Sequence, residues 1–284
     1  MPATKQKPPT TPIARNWRFI VRRGLCFAVL VVVGWVAAAW YVPRPDEVLR
    51  IPVNVANEQR AIGVEVFRAT TDRQGHKPVV VLLHGVEGGK RFVAQRRRTA
   101  DQLRRQGYAT FIVHYFDAVD YDDLWVLKDD GQIDTDRVQR VSDQDAEKWT
   151  EAVANVIDII CDRPDVDRTR LAIDGYSLGG FIALAVSNRC QTSPELPDIR
   201  AVVVNWGACF AATEFHPKFP PTLFVHGQRD QTIPLALAHN TMSLLTKAGV
   251  ETELCVVPDA KHVAMSEESN QRTLAFLQKQ LMVP

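Results

Sequence analysis

A serine stands between glycines in residues 175–180, which read Gly-Tyr-Ser-Leu-Gly-Gly and match the pattern Gly-x-Ser-x-Gly. An apolar run precedes the pattern and a helical pattern follows it. A sharp strand-to-helix turn of this kind exposes a serine hydroxyl for nucleophilic attack. Gly175 and Gly179 lack the Cβ atoms that would collide in such a turn. Ser177 is therefore the predicted nucleophile, with an ordinary helix cap as the alternative.

A serine hydroxyl attacks only when a base takes its proton. Among the seven histidines of the chain, His262 alone lies in a loop after the last predicted strand, and it is the predicted base. The acid that orients this base is expected between serine and histidine in the chain, where Asp230 follows another predicted strand. Asp259 is the less favoured acid, because it shares the loop of His262.

The negative charge that develops during such an attack needs two converging backbone N–H groups. Leu178, the residue after the serine, is the first predicted donor. The glycine-rich loop at 84–89 is expected to supply the second, and Val86 is the predicted donor there. Three aromatic residues are predicted to line an apolar substrate pocket: Tyr176, Trp206 and Phe210.

From residue 78 onward, short apolar runs alternate with longer helical patterns. Most of the runs are continuous Val, Ile and Leu, as in parallel strands that are buried on both faces. This alternation predicts an α/β fold with a mostly parallel central sheet and helices on both faces. Strands are predicted at 79–84, 110–115, 171–174, 201–205, 222–225 and 252–257, with two antiparallel edge strands before them at 48–55 and 63–70. Helices are predicted at 94–106, 146–160, 180–187, 235–248 and 268–281.

The segment 116–145 interrupts this alternation, because it mixes many aspartates with a few apolar residues. It lacks the ordered ligands and central glycine of a calcium loop. We predict a solvated excursion, with a border of the substrate pocket as a second role that its place at the carboxyl edge of the sheet allows.

The first forty residues differ from the rest of the chain. Six basic residues and no acidic one precede the uncharged apolar run 25–42, which as a helix would extend about 27 Å. This pattern predicts a cytoplasmic tail at 1–24, a transmembrane signal anchor at 25–42 and an extracytoplasmic catalytic domain at 43–284. A signal peptide cleaved after the alanines at 37–39 is the alternative, and it would leave a secreted or periplasmic domain.

The charge balance and the positions of the cysteines bear on possible partners, metal sites and disulfides. The 34 basic and 33 acidic residues nearly cancel, so a nucleic-acid partner is not expected. No pair of His or Cys residues has metal-ligand spacing, and neither a metal nor another cofactor is predicted. Four cysteines lie in the catalytic domain, and Cys161 with Cys190 form a candidate disulfide at the face opposite the site.

The ordered set of motifs at 79–89, 107–115, 175–180 and 226–230, followed by His262, resembles the dienelactone hydrolase branch of the α/β-hydrolase superfamily. The resemblance implies cleavage of a carboxylic ester or lactone through an acyl-enzyme on Ser177. Dienelactone hydrolases carry a cysteine nucleophile, and they carry a glutamate where this chain has Gly85, with Glu87 two residues later. A peptidase or acyltransferase with the same triad is an alternative function, as is an inactive membrane-tethered binding module.

Overall fold

Eight strands form one sheet in this computed structural model, which describes residues 41–70, 75–89, 91–119, 121, 124, 134–211, 213–262 and 265–282. The sheet order is β1-β2-β4-β3-β5-β6-β7-β8. The first two pairings, β1 with β2 and β2 with β4, are antiparallel, and all the others are parallel. The strands are β1 (Glu47–Val55), β2 (Glu58–Phe67), β3 (Lys77–Leu83), β4 (Ala109–His114), β5 (Val166–Tyr176), β6 (Ile199–Asn205), β7 (Thr222–Gly227) and β8 (Thr252–Val257).

Helices cover both faces of the sheet, as predicted. They are α1 (Val93–Arg105), α2 (Thr135–Cys161), α3 (Leu178–Thr192), α4 (Leu235–Lys247) and α5 (Glu267–Leu281), with a short 3₁₀ helix at Tyr115–Ala118. Alternate residues of each strand point to opposite faces. On β3, Val81 therefore packs in the core beneath α2, α3 and α4, whereas Val80 packs in the core beneath α1 and α5. Continuous apolar strands follow directly from this two-sided burial.

The order of the central strands decides where loops meet. The chain places β4 on one side of β3 and then returns to place β5 on the other side. Crevices outside the carboxyl ends of strands form where strand order reverses in this way. Leu83 pairs with Gly175, so the loops after β3 and β5 begin side by side.

Several predicted boundaries were wrong, among them the starts of β2, β5 and α2; β5 begins at Val166 rather than at residue 171. β2 begins at Glu58 rather than at residue 63, because its pairing with β1 continues to the turn at residues 56–57. α2 begins at Thr135 rather than at residue 146. Its start is capped by Asp134, whose carboxylate accepts a hydrogen bond from the Arg137 N–H at 3.0 Å.

The prediction of a solvated excursion at 116–145 was also wrong at both ends. Tyr115 and Phe116 are buried, and the Phe116 ring centroid lies 5.2 Å from that of Trp149 on α2. At the other end, residues 135–145 form the first turns of α2. Much of the intervening stretch lies outside the described residues.

In the part of the chain that the structure describes, no helix has the length and apolar character needed to cross a membrane. The predicted anchor at 25–42 lies outside the described residues apart from its last two. From Pro43 onward the chain forms a compact unit of its own.

The candidate disulfide does not form in this structure. Cys161 is the last residue of α2 and Cys190 lies in the last turn of α3, as expected, but both are buried free thiols. Burial raises the pKa of each thiol to about 12, so both are protonated and unreactive at neutral pH.

Candidate active site

Ser177 lies at the junction of β5 and α3 in a strained backbone conformation, with φ 52° and ψ −119°. Two glycines make this conformation possible. A Cβ atom on residue 175 would lie 2.1 Å from the Gly179 carbonyl oxygen, and one on residue 179 would lie 2.4 Å from the His84 carbonyl oxygen. The Ser177 N–H donates to the Asn205 carbonyl at 2.8 Å. The hydrogen bond to β6 therefore holds the turn in place, and the missing side chains at residues 175 and 179 leave room for it.

A continuous hydrogen-bond relay connects three of the predicted residues. His262 Nε2 lies 3.0 Å from Ser177 Oγ, and His262 Nδ1 lies 2.7 Å from Asp230 Oδ2. The three residues follow β5, β7 and β8, which are parallel, so all three loops lie at one edge of the sheet. When Nδ1 carries the imidazole proton and donates it to Asp230, Nε2 is free to accept the serine proton.

Asp230 is buried and remains ionised because its partners outweigh its burial. Burial acts against its charge, but hydrogen bonds from His226 and His262 and from the Ile233 N–H hold the pKa of this carboxyl well below its usual range. The N–H groups of Thr232 and Ile233 donate to its Oδ1, both at 2.9 Å. Asp230 is therefore a carboxylate with a fixed orientation toward His262.

The less favoured acid, Asp259, lies elsewhere. Its side chain is 72% exposed and pairs with Arg229 at 2.5 Å. The structure therefore brings Asp230, not Asp259, to the histidine.

The two predicted oxyanion donors border the same cavity as Ser177. Leu178 is the first residue of α3, where an N–H has no acceptor within the helix. Val86 lies in the loop after β3, beside the serine turn. Among the described residues, neither N–H donates to another backbone group. The described geometry is therefore compatible with the predicted pair of oxyanion donors.

Sequence reasoning missed a buried ion pair that fastens the loop of Val86 to α1. Arg96 donates to Glu87 Oε1 at 2.8 Å and to the Gly89 carbonyl at 2.9 Å. Glu87 Oε1 also accepts the Gly85 N–H at 3.1 Å, and a Cβ atom on residue 85 would lie 2.5 Å from Glu87 Oε2. Burial raises the pKa of Glu87, against the attraction of Arg96. The glutamate inside the glycine-rich loop was the one sign of this ion pair in the sequence. The spacing of the residues did not indicate which basic residue on α1 is its partner.

The predicted pocket residues separate into two groups. Tyr176 lines one cavity beside Ser177, and Phe210 lines another. Trp206 lines neither of them. It is fully buried, and its ring centroid lies 6.2 Å from that of Tyr176. The prediction for Trp206 is corrected: it supports the pocket from within the core.

Within the described ranges, no group of three His, Cys, Asp or Glu side chains lies close enough together to hold a metal ion.

A mostly parallel sheet with a serine turn after β5, an acid after β7 and a histidine after β8 defines an α/β-hydrolase-like fold. The chain belongs to the dienelactone hydrolase family, whose pattern it matches over residues 64–278. It is accordingly a hydrolase by family.

Individual relatives are distant. The chain is 24% identical over 260 residues to acylamino-acid-releasing enzyme 1 of Oryza sativa subsp. japonica, covering 76% of this chain but 32% of that protein. The structure of a dienelactone hydrolase from Anabaena variabilis aligns with a TM-score of 0.55 and 18% identity, covering 83% of this chain and 97% of that one. An acylaminoacyl peptidase from Pyrococcus horikoshii aligns with a TM-score of 0.59 and 15% identity, covering 87% of this chain and 43% of that one. At these identities the two structures support the fold alone.

Proposed function

We propose that this protein is a serine hydrolase that cleaves carboxylic esters or lactones through an acyl-enzyme on Ser177. The observation that carries the proposal is the unbroken relay from Ser177 Oγ through His262 to Asp230, with contacts of 3.0 Å and 2.7 Å. A serine hydroxyl becomes nucleophilic when a base accepts its proton, and an oriented histidine is such a base.

In the first half-reaction, Ser177 Oγ attacks the acyl carbon while His262 Nε2 takes the hydroxyl proton. The N–H groups of Val86 and Leu178 stabilise the negative oxygen of the tetrahedral intermediate. His262 then gives the proton to the departing alkoxide, which leaves as an alcohol. The acyl group remains bonded to Ser177.

In the second half-reaction, a water molecule gives its proton to His262 Nε2 and attacks the acyl carbon. The bond between the acyl carbon and Ser177 Oγ breaks, and His262 returns a proton to the serine. The products are a carboxylic acid and the regenerated enzyme. Asp230 stabilises the imidazolium in both half-reactions without being protonated itself.

The direct test is Ser177→Ala. We expect ester turnover to fall by up to about 10⁶-fold, since loss of a triad nucleophile removes the covalent pathway. Covalent labelling by a fluorophosphonate probe should disappear as well. Ser193→Ala, at the opposite end of α3, is the matched control and should retain both signals. Turnover of Ser177→Ala within tenfold of the wild type would contradict the proposal.

A peptidase function on the same triad is the second candidate, and the similarity to an acylamino-acid-releasing enzyme favours it. Amides and esters of the same acyl group distinguish the two. An esterase should turn over an ethyl ester far faster than the matching anilide or peptide, whereas comparable rates would favour the peptidase. If the folded wild-type protein took up no probe and cleaved neither substrate, the inactive binding module would be the better interpretation.

The location of the domain is also part of the proposal. Basic residues before the apolar run 25–42 support a cytoplasmic N-terminus and an extracytoplasmic domain. We expect the full-length protein to stay with membranes after carbonate washing. A mature chain that begins near residue 40 would instead indicate a cleaved signal peptide and a secreted or periplasmic domain.

A further inference from the structure

Two cavities meet at Ser177 and differ in size. One has a volume of about 130 Å³ and the other about 380 Å³. Their described linings share Val86 and Ser177 and differ in every other residue. A substrate whose acyl carbon lies at Ser177 Oγ therefore has two separate spaces into which its two sides can extend.

His262 determines which side of the ester occupies which cavity. This residue lines the smaller cavity, and among the described residues it is absent from the lining of the larger one. The proton that His262 takes from Ser177 must reach the alkoxide oxygen as the bond between that oxygen and the acyl carbon breaks. The leaving alcohol therefore lies in the smaller cavity, and the acyl chain, which stays bonded to Ser177, extends into the larger one.

The larger cavity is apolar and carries no charged side chain among its described lining residues. Five of its apolar members are Val138, Phe181, Phe210, Ile233 and Leu237, and its polar members, such as Ser142 and Thr232, are neutral. An ionised group on the acyl chain would lie there against apolar walls and without a counter-charge among the described lining residues, which is unfavourable. An uncharged hydrocarbon chain gains free energy from the same burial.

The smaller cavity is bordered by the Glu87–Arg96 ion pair and by Gln95 and Thr99. The two charges neutralise each other at 2.8 Å. This cavity thus favours a short, uncharged alcohol and leaves little room for a long one.

We propose that the substrates are open-chain esters of uncharged, apolar carboxylic acids of medium length with short alcohols such as methanol or ethanol. This inference rests on the proposed esterase function and on the assignment of Ser177 as nucleophile. It separates the substrate from a lactone that carries a free carboxylate.

Methyl hexanoate and pentyl acetate provide the test, because they are isomers with the long chain on opposite sides of the ester. We expect kcat/KM to be at least tenfold higher for methyl hexanoate, since each methylene buried in an apolar site contributes a factor of about four. Equal values, or a preference for pentyl acetate, would overturn the inference. If the wild-type protein cleaves neither ester faster than the Ser177→Ala variant does, the proposed function itself is contradicted.

Substitutions in each cavity sharpen the test. Ser142 is buried, and its hydroxyl has no hydrogen-bond partner in the described part of the chain, so Ser142→Phe fills the larger cavity without breaking a hydrogen bond. We expect the ratio of kcat/KM for methyl hexanoate over methyl acetate to fall at least tenfold. Thr99→Leu changes the smaller cavity. It should lower the ratio of kcat/KM for pentyl acetate over methyl acetate and leave the ratio for methyl hexanoate over methyl acetate within twofold of the wild-type value.

Circular dichroism checks that both variants are folded. If Ser142→Phe does not fold, Leu237→Trp replaces it, because Leu237 borders the same cavity and is 42% exposed. An unchanged hexanoate ratio in a folded variant would show that the acyl chain does not occupy the larger cavity.

Discussion

Two buried aspartates lie near Ser177 and differ in charge. Asp174, three residues before the serine on β5, is fully buried, and its pKa is raised to about 7 by that burial, against one hydrogen bond from Asn205. Asp230, after β7, is nearly as buried, yet its pKa is held below the usual range. The number of donors explains the contrast.

Asp230 has a donor for each oxygen, whereas Asp174 Oδ2 finds no partner in the described part of the chain. A buried carboxyl keeps its charge only when hydrogen bonds replace the lost water. One acid is therefore built to hold a negative charge opposite His262. The other is most stable as a neutral carboxylic acid.

The largest difference between the two acids should appear in turnover. We expect Asp230→Asn to lower kcat by about 10⁴-fold, because the amide favours the wrong tautomer of His262. Asp174→Asn should lower kcat less than tenfold, because the neutral acid and the amide have the same charge. Initial rates on one ester at pH 6, below the pKa of Asp174, measure both effects.

Asp259→Asn is the matched control for this comparison, since Asp259 is exposed and pairs with Arg229. It should leave kcat within twofold. If Asp259→Asn lowered kcat as much as Asp230→Asn does, Asp230 would not be the orienting acid.

The next largest effect concerns Asp174 and the free energy of unfolding, which should depend on pH. The pKa of Asp174 is about 7 when folded, against 3.8 for the ordinary group, so the folded protein binds more protons between these values. The free energy of unfolding should therefore fall as pH rises from about 4 to 7, by at most about 4 kcal/mol from this group.

Asp174→Asn removes this titration. We compare the free energy of unfolding of the variant with that of the wild type. The variant value minus the wild-type value should rise between about pH 4 and pH 7 and level off above that range. Urea denaturation at pH 5, 6, 7 and 8 measures the difference, and a value independent of pH would contradict the assigned direction.

The smallest effect should come from Glu65, which resembles Asp230 in having strong donors. Burial acts against its charge, but hydrogen bonds from His114 and Arg97 lower its pKa to about 2 from 4.5. The unfolded protein therefore binds more protons between these values, and the stabilisation is present above pH 4.5 and lost as pH falls toward 2.

We expect Glu65→Gln to destabilise the protein by about 1 kcal/mol at pH 7, since water reaches the partly exposed Arg97. The difference from the wild type should shrink when unfolding is measured at pH 3.5. A difference that stays constant or grows on acidification would show that this carboxylate does not resemble Asp230.

The sequence was most informative where residue type and chain order carry the chemistry. The placement of Ser177, Asp230 and His262 at one sheet edge followed from strand alternation and the order of the motifs, and the structure brings all three together. The strands were predictable because two-sided burial requires continuous apolar runs.

Features that depend on contacts between distant segments were not predictable. The Glu87–Arg96 pair joins a loop to a helix, and neither residue reveals its partner in the sequence. The first turns of α2 read as polar loop, because they face solvent apart from a few residues such as Val138 that border the larger cavity. Trp206 was misplaced because an aromatic residue after a strand suits a pocket wall and a core equally well.

The backbone conformation of Ser177 has a consequence for the stability of the fold. A non-glycine residue at φ 52° costs on the order of 1–3 kcal/mol, and glycine would remove most of that cost at this position. Mutation to glycine should therefore stabilise the fold while it removes the serine hydroxyl. The serine turn thus lowers the stability of the fold at the position where the proposed chemistry needs a hydroxyl group.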